Sequence, residues 1–167
     1  MKIDKFLLSA VVLIVIAVGA IALVGAKNTK QPSANTSTQQ APSIAYTENT
    51  LHEWGEIPLN DGVVTASFPI KNGSENTLTL TNIATSCMCT TAKLVKGDTV
   101  SPEFGMHTKS DYVFSVPPGE TANLEIVFDP AFHGPSGVGP ITRQVKVTTN
   151  DPDNPTLNFT LTATVRS

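Results

Sequence analysis

Period-two alternation dominates the second half of the chain. Val64-Thr65-Ala66-Ser67-Phe68-Pro69-Ile70 sets apolar positions against small or polar ones, and Ala122-Asn123-Leu124-Glu125-Ile126-Val127-Phe128 repeats the pattern. Ile141, Val145 and Val147 share a face opposite Thr142, Gln144, Lys146 and Thr148. Leu157, Phe159, Leu161, Ala163 and Val165 alternate with Asn158, Thr160, Thr162, Thr164 and Arg166. Successive strand side chains point to opposite faces, so each run predicts a strand with one buried and one wet face. Phe128, Val145, Val147, Leu157, Phe159 and Leu161 are the expected core. Turn-forming clusters at 59–62, 71–74, 117–120 and 150–155 separate the runs. About seven short strands punctuated in this way predict an all-β, immunoglobulin-like sandwich. An open barrel is the alternative.

The N-terminus carries a different pattern. Phe6 to Ala26 are 21 residues without a charge, about 30 Å of helix and the thickness of a bilayer core. Secretory apolar regions are usually shorter, so the span reads as an uncleaved signal anchor, with cleavage after Ala26 as the alternative. Residues 28–42, rich in Asn, Thr, Gln, Ser and Pro, cannot bury enough apolar surface to offset their ordering entropy. The expected organisation is a cytoplasmic terminus (1–5), a transmembrane helix (6–26), a disordered linker (27–43) and an outer domain (44–167). The chain is then a single-pass membrane protein with its C-terminal domain in the periplasm or at the cell surface.

Charge narrows the partners. From residue 44 onward seven Lys/Arg stand against thirteen Asp/Glu. No basic stripe is available to meet phosphate, so no nucleic-acid partner is expected. The membrane through residues 6–26, a metal ion or an unidentified extracytoplasmic protein remain.

Candidate chemistry centres on Thr85–Ala92, which holds both cysteines. If Cys87 and Cys89 lie on an extended strand, their Cα atoms stand about 6.6 Å apart on one face. That is the upper limit for a disulfide, so the pair is expected to be unlinked. Two thiols on one face can bracket a soft ion. Met106 and His107 share the segment 101–110, and His133 precedes the Gly-rich run 134–140. Thiolate, thioether and imidazole are the ligand set of Cu(I), with zinc as the second choice. The candidate metal ligands are therefore Cys87, Cys89, Met106, His107 and His133. The alternative is a structural or protein-interaction domain whose cysteines pack in the core.

Catalytic constellations are weaker. A Cys89–His107 dyad has no recognisable oxyanion site, and the pair lacks the Cys-x-x-Cys at a helix N-terminus that favours thiol–disulfide exchange. No catalytic or cofactor-binding residue is assigned, and the protein is not expected to be an enzyme. Trp54 is expected to anchor the first strand, with Gly55 giving a bulge or a close approach. Residues 150–155 read as a turn whose side chains cap their own backbone, in preference to a calcium loop.

Residues 52–58, 81–92, 116–130 and 147–165 follow one another as HEWGEIP, TNIATSCMCTTA, VPPGETANLEIVFDP and VTTNDPDNPTLNFTLTATV. In this order they resemble the bacterial family called domain of unknown function 1573, whose members usually carry Ser-Cys-Gly-Cys-Thr, then Pro-Gly-Glu before a strand, then Asn-Asp-Pro before the last one. The resemblance spans nearly all of 50–165 and implies an extracytoplasmic immunoglobulin-like fold without an established activity. Two departures stand out. Met88 replaces the usual glycine, and residues 96–116 replace a short connection.

Overall fold

The structure, a computed structural model, describes residues 45–167. The expected cytoplasmic terminus, membrane span and linker lie outside the described residues. Within those described, no helix is long and apolar enough to cross a membrane.

Among the described residues the chain forms ten strands. In chain order these are β1 (Ala45–Tyr46), β2 (Leu51–Pro58), β3 (Val64–Asn72), β4 (Leu78–Thr85), β5 (Thr90–Lys96), β6 (Thr99–Val100), β7 (Phe114–Val116), β8 (Thr121–Phe128), β9 (Gly139–Thr149) and β10 (Thr156–Arg166). They build two five-stranded sheets, ordered β1-β3-β8-β5-β6 and β2-β10-β9-β4-β7. Neighbours pair antiparallel except β2 and β10, which run parallel. The expected count of about seven matches the longer strands. β1, β6 and β7 are short and close three of the four sheet edges, a common way of limiting unpaired edge backbone.

The sequence pattern places the core. Ala66, Phe68 and Ile70 of β3 turn inward while Thr65, Ser67 and Pro69 face solvent. All five apolar positions of β10 are buried, and so are the six residues expected inside. The Phe68 and Phe159 rings meet at 4.9 Å between centroids, which ties the two sheets together across the interior.

Two local expectations are met. Glu53 pairs with Thr162 and Glu56 with Thr164, so β2 carries an extra residue there. The bulge sits at Gly55, whose φ of 71° suits glycine. Beside it the Trp54 indole donates Nε1–H to the Thr65 carbonyl at 3.0 Å. In the 150–155 turn, Asp151 accepts from the Asp153 amide, the Asn154 side chain and the Ala45 amide. Asn150 ties the same turn to the start of β4 through Thr77 and Thr79. The bond from the Asp153 amide caps the turn's own backbone as read from the sequence, and the bonds to Ala45, Thr77 and Thr79 reach beyond it.

Residues 96–116, which replace a short connection, are built into both sheets. β6 pairs with β5, Phe104 bridges to Ala92, and β7 pairs with β4. Phe104 and Phe114 are among the most deeply buried side chains. The segment closes one side of the core through Phe104, Phe114 and Val116, while 97–100 and Met106–Lys109 are exposed.

Phe159→Ala should destabilise the domain by about 3–5 kcal/mol in urea unfolding, because the lost ring leaves a cavity between the sheets. Asn158→Ala, one residue away on the wet face, should change stability by less than about 0.5 kcal/mol. Equal losses would contradict the inward placement of Phe159.

Candidate functional site

The chain crosses from one sheet to the other between β4 and β5 in the four residues Ser86 to Cys89. Both sides of this corner are pinned. On the β4 side, the Ser86 amide donates to Gln144 O and the Gln144 amide donates to Ser86 Oγ, each at 2.9 Å. On the β5 side, the Asp129 amide donates to Cys89 O at 2.9 Å. Inside the corner, the Thr90 amide reaches Cys87 O, and the buried Thr85 hydroxyl sits between Cys87 O and Thr90 O. A corner so held has no freedom to extend into a strand.

This geometry corrects the expectation of an unlinked pair on one extended strand. Cys87 and Cys89 lie in a tight turn, their Cα atoms are 5.3 Å apart, and the structure joins them in a disulfide. Folding the chain back shortens the separation from the extended value into the usual range for a bridge. The two sulfurs differ in setting. Cys89 is 3% exposed and packs with Ile57, Leu59, Phe128 and Val165. Cys87 is half-buried, and Met88 between them projects into solvent.

A second crossing at the same end of the sandwich brings His133. β8 ends at Phe128, and residues 130–137 form two short 3-10 turns, capped by the Asp129 carboxylate accepting from the Ala131 amide. His133 is thereby placed with Nε2 3.4 Å from Cys87 Sγ. The ligand atoms of Cys87, Cys89 and His133 all lie within 4.8 Å of one another. Of the other expected ligands, His107 does not join this group, and Met106 and His107 stand exposed in the 96–116 segment. His52 packs edge-on against Trp54 and Phe68.

Arg143 on β9 is the functional neighbour that sequence reading missed. It donates Nε–H to Cys89 Sγ at 3.1 Å and a second N–H to Thr142 O. Its guanidinium lies over the Phe128 ring at 5.3 Å, and Trp54 stacks on the same Phe128. Burial pushes its pKa below the ordinary arginine value, but guanidinium remains charged at any physiological pH. Among the described residues it makes no salt bridge. A half-buried cation therefore faces a sulfur without a carboxylate partner. The signal that could have found it is a charge in the inward series Ile141, Arg143, Val145. A shallow groove of about 380 Å³ borders Cys89 on another side, with Val63, Met88, Val127 and Phe132 in its walls.

The arrangement has two chemical capacities. Oxidised, it holds a disulfide beside a cation. Reduced, it offers two sulfurs and an imidazole converging on one point, the donor set of a soft metal.

A family model described as a protein of unknown function, DUF1573, matches residues 45–165. No curated protein matches the chain. The chain is similar to a solved protein of unknown function from Porphyromonas gingivalis W83, at 21% identity and a TM-score of 0.54. The match covers 78% of this chain and 51% of that one, so the chain spans about half of that protein's length. The ASH/PapD-like domain 7 of human CEP192 is also similar, at 13% identity and a TM-score of 0.48, covering 84% of this chain and 99% of its own. The first of these likenesses bears on the fold alone.

Denatured without reductant, the chain should show no thiol to an alkylating reagent, and after reduction both of its two cysteines should label. Full labelling before reduction would show that the isolated protein holds the pair as thiols.

Proposed function

We propose that this chain, which belongs to the DUF1573 family of proteins of unknown function, is a membrane-anchored extracytoplasmic module that binds Cu(I) in its reduced state. The carrying observation is the convergence of Cys87 Sγ, Cys89 Sγ and His133 Nε2 within 4.8 Å. Two ligands bound to one ion at about 2.0–2.3 Å each can stand no more than about 4.6 Å apart, so small side-chain rotations suffice once the disulfide opens. Two thiolates and one imidazole form a three-coordinate, soft set that suits Cu(I). Zinc would call for a fourth ligand, and the Cys/His/acidic group found among the described residues has three members. Arg143 beside Cys89 Sγ offsets the negative charge that two thiolates carry around a monovalent ion. The module acts by binding and is not an enzyme.

Support for the location comes from the uncharged span 6–26 followed by a polar tether. A linked cysteine pair also suits an oxidising compartment. A second reading has its own observation. Cys89 is packed into the smaller core cluster, as expected for a structural domain that holds no metal.

Anaerobic titration of the reduced full chain with Cu(I), read by competition with a chromophoric chelator, should give one ion per chain. Cys87→Ser with Cys89→Ser should abolish binding. His133→Ala should weaken it roughly tenfold or more. Met106→Leu with His107→Ala should leave the stoichiometry at one. Absence of stoichiometric binding, together with lower stability of the double serine variant, would favour the structural reading. A reporter fused after Ser167 should be active only outside the cytoplasm, and cytoplasmic activity would overturn the proposed location.

A further inference from the structure

We infer, independently of metal binding, that Cys87–Cys89 is a directional thiol–disulfide couple: a thiol-bearing reductant attacks Cys87 Sγ, and Cys89 Sγ leaves as a thiolate held by Arg143.

Three observations favour this polarity over the reverse, in which the Cys89 amide at 3.3 Å and His133 Nε2 at 3.4 Å would meet a Cys87 thiolate. The first is access. Cys87 is half-buried, whereas Cys89 is 3% exposed and enclosed by the core cluster, although the neighbouring groove borders it. A thiolate nucleophile must approach along the line of the S–S bond, and the more open sulfur is the better target.

The second is the leaving group. Thiol–disulfide exchange is faster when the departing sulfur is the better-stabilised anion. Arg143 already directs Nε–H at Cys89 Sγ from 3.1 Å. A neutral disulfide sulfur accepts such a bond weakly. As negative charge develops on Cys89, the same contact becomes a charge-assisted hydrogen bond without any movement of the donor.

The third is the state of Arg143. It has no carboxylate partner among the described residues, and Phe128 and the Thr142 carbonyl fix its orientation. Its charge therefore has no anionic partner among the described residues in the disulfide form and is available to a thiolate.

The exchange balances with the reductant as sole co-reactant. A reductant thiolate forms a new S–S bond to Cys87, the Cys87–Cys89 bond breaks, and its electron pair remains on Cys89. A second reductant thiolate then attacks the reductant sulfur of this mixed disulfide. That releases oxidised reductant and leaves Cys87 as the second thiolate. Two electrons pass from two reductant thiols to the pair.

Reduced glutathione serves as the probe, with the oxidised full chain and a chelator present to exclude metal. Samples quenched in acid during the reaction, alkylated and mapped by fragment mass spectrometry should carry glutathione on Cys87 and the alkyl group on Cys89. Arg143→Ala should slow reduction roughly tenfold, the scale of a partly developed charge-assisted hydrogen bond. Arg143→Lys should recover part of that rate, and Lys146→Ala, a charge change elsewhere on β9, should leave it unchanged. Glutathione on Cys89, or spread equally over both sulfurs, would overturn the proposal in the unmodified protein, whatever the folding of the variants. Reduction of folded Arg143→Ala at the unmodified rate would also overturn it. Failure of Cu(I) to bind would leave these outcomes untouched.

Discussion

The site depends on one constraint, the passage of the chain from β4 in one sheet to β5 in the other within four residues. Sandwich sheets are separated by about 10 Å, so so short a crossing must leave one ladder, turn and enter the next almost at once. Backbone bonds to Gln144 on one side and from Asp129 on the other fix where it leaves and where it lands. The Thr85 hydroxyl occupies the inside of the turn. Cys87 then belongs to the outer part of the corner and Cys89 to the core, with Met88 turned outward between them. The unequal burial of two residues only two positions apart follows from the corner.

The β8–β9 connection crosses at the same end, which is why a histidine 46 residues away can reach Cys87. The two crossings share Phe128 and Asp129. Thr90 pairs with Phe128, Asp129 meets the Cys89 carbonyl, and Phe128 carries both the Trp54 ring and the Arg143 guanidinium. Partial burial lowers the effective dielectric around Arg143, so its field at the sulfur is stronger than that of a solvated lysine would be. Packing therefore sets the electrostatics here. Changes at Phe128 or Trp54 would be felt at the sulfurs through the position of Arg143 as well as through packing.

The strands were legible in the sequence because period-two alternation is a local consequence of pleating, and the inward positions of β3, β8, β9 and β10 could be read directly. The Gly55 bulge and the 150–155 turn were legible from their chemistry. The corner was not. Residues 85–92 contain neither Gly nor Pro, and with small and apolar residues throughout they read as an uninterrupted strand. Only hydrogen bonds to β9 and to Asp129, distant in sequence, reveal the turn. Phe104 and Phe114 were hidden for a related reason, since each buries itself from a mostly polar segment in which no alternation announces a strand. Arg143 was hidden by an apolar series that reads correctly when its one charged member is passed over.

That charged member bears on which oxidation state the surroundings were shaped for. A disulfide is neutral and packs among Ile57, Leu59 and Val165 without needing a cation. Holding a guanidinium half-buried costs desolvation, as its lowered pKa reflects, and no carboxylate among the described residues offsets that cost. In the oxidised state the Phe128 ring and the Thr142 carbonyl meet part of that cost, and the sulfur adds a weak hydrogen bond. Once the S–S bond opens, two sulfurs can carry negative charge at the edge of an apolar cluster, and an anion there without a counter-charge would be penalised. Arg143 removes the penalty at Cys89, whether the sulfur is a free thiolate or a metal ligand. The disulfide accounts for the packing of this corner, and the reduced pair, as proposed, would draw on its charge.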